Sequence, residues 1–286
     1  MFELQGHRGA RGLFPENTLE GFRAAMALGV AAFELDVAMT TDGVPVVCHD
    51  PLLNPALVRG PDGAWLDRTG PAIRALTLDA LTRYDVGRLR PGSAYAADFP
   101  DQEPADGARI PTLAAVLALR GADGAAPRLN IEIKTDPRHP DRTAHPETMA
   151  KAVLAAIDAA GAADRVIVES FDLRVVRAVR GLRPDIARAW LTAPDTAAAA
   201  PLWWGVDTAA FGGSTARAVA AEGGRYWAPQ HRSLTRAELR AAHAEGLRVL
   251  PWTVNDPDDM RRLIDWGVDG LITDYPDRAL RILGTP

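Results

Sequence analysis

Residues 31–51 read AAFELDVAMTTDGVPVVCHDP. The stretch opens apolar and then alternates, placing Glu34 and Asp36 two apart around Leu35. Alternate residues of a β-strand share a face. Two carboxylates on one face repel each other and resist burial unless something neutralises them. A hard divalent cation is the simplest neutraliser. After a Thr-Thr-Asp-Gly turn, a second β-rich run over 44–48 delivers His49 and Asp50, and Pro51 stops it. One hairpin-like unit thus offers two acidic ligands and an imidazole. The same residues also fit the wet face of an edge strand with a loop histidine, so the rest of the chain has to decide.

Working outward, residues 2–6 form a strand candidate ending in His7-Arg8-Gly9. A helix follows from Pro15-Glu16-Asn17-Thr18, with Asn17 and Glu20 as a capping box and Leu19, Phe22 and Met26 as its apolar stripe. Strand 32–37 comes next, completing a βαβ unit. Residues 52–109 change composition, rich in Pro, Gly and Asp with one helix-like piece at 76–84, and read as an insertion. Within it, 87–107 is the least regular part and is expected to be mobile. A helix with Thr112 as N-cap, strand 128–135, helix 149–160, strand 166–171, helix 172–181 and strand 186–192 then alternate. Residues 193–221 show no clear pattern. Strand 226–230, helix 235–246, strand 248–254, helix 257–266 and strand 270–274 complete the chain. Eight strands alternating with helices predict an α/β fold, a TIM (β/α)8 barrel, over an open doubly wound sheet. No G-x-G-x-x-G follows the first strand, which disfavours a dinucleotide fold.

The 286 residues suit one catalytic barrel domain spanning 1–286 with a small insertion after the second strand, at about 52–109. The net charge of −5 with no basic block argues against a nucleic-acid partner. A single cysteine, Cys48, permits no internal disulfide. No apolar run reaches the roughly 18 residues of a membrane span, and MFELQGHRG has no secretory pattern. A cytoplasmic protein without stable membrane insertion is expected.

Barrel sites form at the C-terminal strand ends. Here those ends carry His7-Arg8, Glu34 and Asp36, Glu132 and Lys134, Glu169-Ser170, Gln230, Trp252 and Asn255, and Thr273-Asp274, with His49 close after the second. Three carboxylates without thiolate suit Mg²⁺, Ca²⁺ or Mn²⁺. Arg8 and Lys134 fit a phosphate, unless they merely pair with the acids. Two histidines suit paired acid and base work. His139, His145, His231 and His243 lack such company and are expected at the surface. Alternation turns Cys48 away from His49, so a Cys-His nucleophile is not expected. Together these residues describe metal-assisted phosphoryl transfer.

HRG at 7–9 with PENT at 15–18, ELDV at 34–37, T-x-D-G before VPVVCHDP, IPTL at 110–113, EIK at 132–134, and WTVN with ITDYP near the end resemble the glycerophosphodiester phosphodiesterase family, in order over nearly the whole chain. The resemblance implies a TIM barrel with a small insertion after the second strand. It implies metal ligands Glu34, Asp36 and Glu132 for one divalent cation, an acid–base pair His7 and His49, phosphate contacts Arg8 and Lys134, and Trp252 lining the substrate pocket. The implied reaction hydrolyses a small-molecule glycerophosphodiester to glycerol 3-phosphate and an alcohol. The segment 87–107 looks longer than the family's usual link before IPTL, and so bears on which alcohol is accepted. Two other readings use the same residues: a phospholipase-type phosphodiesterase on a related barrel, and a non-catalytic phosphate-ligand binding protein. No serine or cysteine is placed beside a histidine as a plausible enzyme nucleophile, so attack by the substrate's own glycerol 2-hydroxyl through a cyclic phosphate is expected.

Overall fold

The computed structural model describes residues 2–284. Nine strands form one sheet: β1 (Glu3–His7), β2 (Ala32–Met39), β3 (Pro45–Val47), β4 (Arg128–Ile133), β5 (Val166–Ser170), β6 (Ala187–Thr192), β7 (Tyr226–Pro229), β8 (Arg248–Val249) and β9 (Gly270–Thr273). Eight run parallel in the order β8-β7-β6-β5-β4-β2-β1-β9, and β3 pairs antiparallel with β2 at the side. Backbone bonds join the two ends: Asp269 N–H to Val249 O at 3.1 Å, Ile272 N–H to Pro251 O at 3.0 Å and Val254 N–H to Ile272 O at 2.9 Å. These close the predicted (β/α)8 ring. The strand predicted over 248–254 keeps a regular ladder only at Arg248–Val249. Pro251 has no N–H to give, which interrupts the pairing.

Alternation along the strands sorts the two faces. Phe33, Leu35, Val37, Leu129, Ile131, Ile133 and Val168 are buried together with Phe22, Leu113, Val153 and Ile157 from the surrounding helices. The other face of the same strands points into the ring. There Ile167, Ala189, Tyr226, Leu250 and Ile272 make an apolar half. Gln5, Glu34, Asp36, Asn130, Glu132 and Glu169 are polar residues of the same interior and are all buried. The ring is therefore apolar toward β6–β9 and polar toward β1–β5.

The helices start where side chains cap them. Thr112 accepts from Ala115 N–H, Asp172 from Arg174 N–H, and Thr235 with Glu238 forms a full capping box. The first helix, Leu19–Ala27, is capped by Thr18 and not by Asn17: Thr18 Oγ1 accepts Gly21 N–H at 3.0 Å. Asn17 has been diverted into the ring. Residues 193–221, patternless in sequence, hold two short helices, a 3₁₀ turn and the helix Thr215–Ala221. No described helix is long and apolar enough to cross a membrane.

Residues 48–112 leave the ring after β3 and pack their own apolar cluster around Leu53, Val58, Ile73, Leu81 and Ile110. The stretch 87–107 contains the helix Ala94–Asp98 and is tied back to the loop after β1. Gln102 Nε2 donates to Arg11 O at 2.7 Å, Glu103 N–H to Leu13 O at 2.8 Å, and the Arg11 guanidinium lies 4.6 Å from the Phe99 ring centre.

Candidate active site

Strand register brings the acids together. His7 pairs with Glu34 across β1 and β2, while Asp36, Glu132 and Glu169 lie in one row across β2, β4 and β5. One carboxylate oxygen each from Glu34, Asp36 and Glu132 lie within 4.8 Å of one another. The β2–β3 hairpin folds back so that Cys48 N–H donates to Asp36 O at 2.9 Å, which carries the next residue, His49, to the same rim.

The loop after β1 is tightly built. A Cβ at Gly6 would stand 1.9 Å from Gly9 O, so only glycine fits there. Arg8 and Asn17 both adopt positive φ, 53° and 55°, a costly backbone for these residue types. The strain aims both side chains inward. Asn17 Nδ2 donates to Asp36 Oδ2 at 2.9 Å, and Arg8 Nε stands 3.2 Å from the same oxygen. Arg8 N–H reaches Glu34 Oε2 at 3.3 Å, and its guanidinium donates to Glu16 at 3.0 Å. Lys134 Nζ lies 2.9 Å from Glu132 and 3.5 Å from Asp36.

Both histidines are fixed through Nδ1. His7 Nδ1 lies 2.6 Å from Asp274 Oδ1, and His49 Nδ1 lies 2.7 Å from Asp50 Oδ1. Asp274 is itself clamped by Arg11 Nε and Nη2 at 2.9 and 3.0 Å and by Asn255 Nδ2 at 2.7 Å. Asp50 accepts from Asn54 Nδ2 at 2.8 Å. A carboxylate on Nδ1 selects the tautomer with the proton there, which leaves Nε2 as the lone-pair nitrogen. His7 Nε2 points toward Glu34, 3.6 Å away.

Burial and neighbouring charge set the ionisation. Burial pushes the Glu34 carboxyl well above its ordinary range, and Asp36 pushes it further. Glu132 is raised to about 7, by burial first and against the pull of Lys134. Glu169 is raised to about 8 by burial and Glu132. For Asp36 burial acts upward, but Arg8, His49 and Lys134 outweigh it and hold the group well below the usual range. Burial lowers His7 to about 4 in spite of Asp274, and lowers His49 with help from Arg8.

A divalent cation fits this arrangement. Asp36 Oδ1 and Glu169 Oε1 are buried without a hydrogen-bond donor. Orphaned acceptors of this kind are costly unless an ion or a donor occupies the space. Four carboxyls, Glu34, Asp36, Glu132 and Glu169, are buried side by side, and a bound cation would relieve the repulsion between their ionised forms. The donors are all hard oxygens, suited to Mg²⁺, Ca²⁺ or Mn²⁺.

Above these groups lies a cleft of about 190 Å³, bounded by His7, Arg8, His49, Lys134, Phe171 and Trp252 among others. Trp252 is half-buried, donates Nε1–H to Ala228 O at 2.9 Å, and meets Phe171 edge-on at 5.5 Å. All eight site residues named from sequence thus gather at one end of the ring. His139, His145 and His243 stay outside it. His231, expected at the surface, is buried: its ring lies 3.3 Å from Trp252 O and 3.4 Å from Asp259.

The partners that orient the histidines were not assigned from sequence. Asp50 is adjacent to His49 in HDP, and Asp274 lies in ITDYP, so both had a local signal. Arg11 had none. Tyr95 had none either, yet its hydroxyl bonds Glu16 Oε2 closely and accepts from Arg11 Nη1 at 3.1 Å. It thereby joins the carboxylate on Arg8 to the arginine on Asp274.

The family model for the glycerophosphoryl diester phosphodiesterase family matches residues 7–278. A Bacillus subtilis glycerophosphodiester phosphodiesterase is 29% identical over 276 residues, covering 95% of this chain and 83% of that protein. A crystal structure of a Silicibacter pomeroyi chain, provisionally named a glycerophosphoryl diester phosphodiesterase, superposes with a TM-score of 0.89 at 39% identity, over 99% of this chain and 93% of that one. An Oleispira antarctica phosphodiesterase, solved in complex with the product sn-glycerol-3-phosphate, shares the fold at a TM-score of 0.73 and 22% identity, over 99% and 96% of the two chains.

Proposed function

The chain belongs to the glycerophosphoryl diester phosphodiesterase family, and from that premise we propose how its residues divide the work of hydrolysis. The protein is a phosphodiesterase, a hydrolase. We propose that it releases glycerol 3-phosphate and an alcohol, that residues 1–286 act as one catalytic unit, and that about 52–109 is an insertion in it. The observation that carries this reading is the pair of histidines, each fixed by a carboxylate, beside a buried acidic cluster with two cations.

Glu34, Asp36 and Glu132 would hold one divalent ion, and Glu169 stands in the same row. Such an ion supplies positive charge to the phosphoryl oxygens and acidifies a hydroxyl beside it. The chain's own groups do the rest. Arg8 and Lys134 bind the phosphate and stabilise its developing charge. His7 accepts a proton at Nε2 from the attacking hydroxyl, with Asp274 steadying the imidazolium that results. His49, in its protonated form, gives the Nε2 proton to the departing alcohol, and Asp50 holds its ring in place. Trp252 and Phe171 shield the glycerol carbons from water.

Glycerol 3-phosphate release from glycerophosphocholine tests the reading. Release should vanish in EDTA and return with Mg²⁺, Ca²⁺ or Mn²⁺. Full release in excess chelator after exhaustive dialysis would remove the cation from the scheme.

Cation affinity should also depend on pH. Glu132 is held near 7 by burial and Glu34 is raised, so the ion-free site keeps protons at neutral pH and below. A carboxyl with a raised pKa must lose its proton to bind an ion. Affinity should therefore fall as pH drops below 7, about tenfold per pH unit for each proton displaced. Calorimetric titration with Ca²⁺ at pH 6, 7 and 8 measures this; a constant Kd would contradict it.

A further inference from the structure

Two groups of the site, one assigned to the phosphate and one to proton transfer, lead back to a single hydroxyl outside the ring. Tyr95, on the helix Ala94–Asp98, donates that hydroxyl to Glu16 Oε2 and accepts from Arg11 Nη1 at 3.1 Å. Its two partners go separate ways. Glu16 Oε1 accepts from Arg8 Nη1 at 3.0 Å. Arg11 grips both oxygens of Asp274 through Nε and Nη2, and Asp274 holds His7 Nδ1 at 2.6 Å. Burial and the neighbouring Glu16 push the ionisation of Tyr95 far above neutrality, so its hydroxyl stays a donor.

The loop after β1 needs such support. Arg8 and Asn17 hold positive φ, and strained backbone persists only where its surroundings over-determine it. The segment 95–103 supplies contacts to this loop at both side chains and backbone. Phe99 is buried, with the Arg11 guanidinium 4.6 Å from its ring centre. Gln102 Nε2 donates to Arg11 O, and Glu103 N–H donates to Leu13 O. Arg11 and Glu16 are long side chains with many rotamers, and charge-assisted bonds on both sides of each fix one of them.

We propose that Tyr95 is a positioning residue with two outputs: through Glu16 it holds Arg8 for the phosphate, and through Arg11 and Asp274 it holds the His7 ring for proton transfer. The assignment rests on the roles given to Arg8 and His7 above. Tyr95 itself touches neither substrate nor cation. Its segment acts by fixing the geometry of groups that do, where small misplacements are costly.

Tyr95→Phe removes one oxygen and keeps the ring that packs on Phe99 at 5.3 Å. Two readouts follow it in the presence of Mg²⁺ or Ca²⁺: kcat for glycerol 3-phosphate release from the choline, ethanolamine and glycerol diesters, and the Kd of glycerol 3-phosphate by calorimetry. The replacement should lower kcat and raise Kd by about three- to tenfold each, the worth of one hydrogen bond. The two effects should separate in double variants. In an Asp274→Ala background Tyr95→Phe should leave kcat unchanged and still raise Kd. In a Glu16→Ala background it should leave Kd unchanged and still lower kcat. Thermal unfolding of each variant reports whether the fold is kept. An unchanged kcat or an unchanged Kd in Tyr95→Phe overturns the proposal. So does a loss of both that persists in both backgrounds, which is what a merely structural role would give. If the unaltered protein releases glycerol 3-phosphate from none of the diesters, the reading of the site itself falls, and this assignment with it.

Discussion

Replacing either His7 or His49 with alanine is expected to lower turnover by about 10²–10⁴-fold, the usual worth of general acid–base catalysis. The double replacement should cost far less than the product of the two, because paired groups act as a unit. The pH profile separates their roles. His7 is buried, and its pKa is lowered to about 4, so its Nε2 is a free acceptor above that pH and loses the role as pH falls through it. His49 must carry a proton to the alcohol and loses that role as pH rises through its own pKa. The rate should thus be bell-shaped, its acid limb lying below the ordinary histidine range. His7→Ala should erase the acid limb of the residual rate, and His49→Ala the alkaline limb. Both profiles are read from initial rates of glycerol 3-phosphate release between about pH 3 and 10. Near-normal turnover by His49→Ala would remove His49 from the reaction.

Much of this site was legible because strands encode it by alternation. Glu34 and Asp36 are two apart in ELDV, and Glu132 and Lys134 are two apart in EIK, so one face was forced for each pair. Parallel register then had only to place Asp36 opposite Glu132. Period-two patterns survive in the sequence because burial punishes a one-residue slip. The contacts that hold His7 are different in kind. Arg11 reaches Asp274 across 263 residues, and Tyr95 reaches Glu16 across 79. No periodicity records a partnership between two loops. Asn17 misled for a related reason: it has the chemistry of an N-cap, but its positive φ and its bond to Asp36 commit it to the site, and the neighbouring Thr18 does the capping. The β8 segment looked like a full strand because RVLPWTV is apolar, and Pro251 breaks the ladder that its neighbours would have continued. His231 lacked company in sequence, and only the fold supplies Trp252 and Asp259 as its neighbours.

A glycerophosphocholine analogue lacking the glycerol 2-hydroxyl is expected to bind and to resist cleavage. The reason lies in what could attack phosphorus. Cys48 is the only cysteine, it packs with the apolar cluster of residues 48–112, and burial raises its thiol pKa far above neutrality, so no thiolate is on offer. Ser170 Oγ is buried and donates to Ile133 O at 2.9 Å, so it is committed to the backbone. The substrate's own 2-hydroxyl is adjacent to its phosphate, and a tethered nucleophile carries a high effective concentration. On the proposed route His7 would remove its proton, the 2-oxygen would bond phosphorus, and the P–O bond to the alcohol would break as His49 protonated that oxygen. Water would then open the cyclic 1,2-phosphate with the two histidines exchanging roles, which would restore both to their starting protonation. Without the 2-hydroxyl the first bond cannot form, while the phosphate contacts of Arg8 and Lys134 remain. The analogue should therefore inhibit competitively, with a Ki near the parent's KM, and give no choline release above background. Cleavage at a rate close to the parent's would rule out the cyclic route and make water the direct nucleophile.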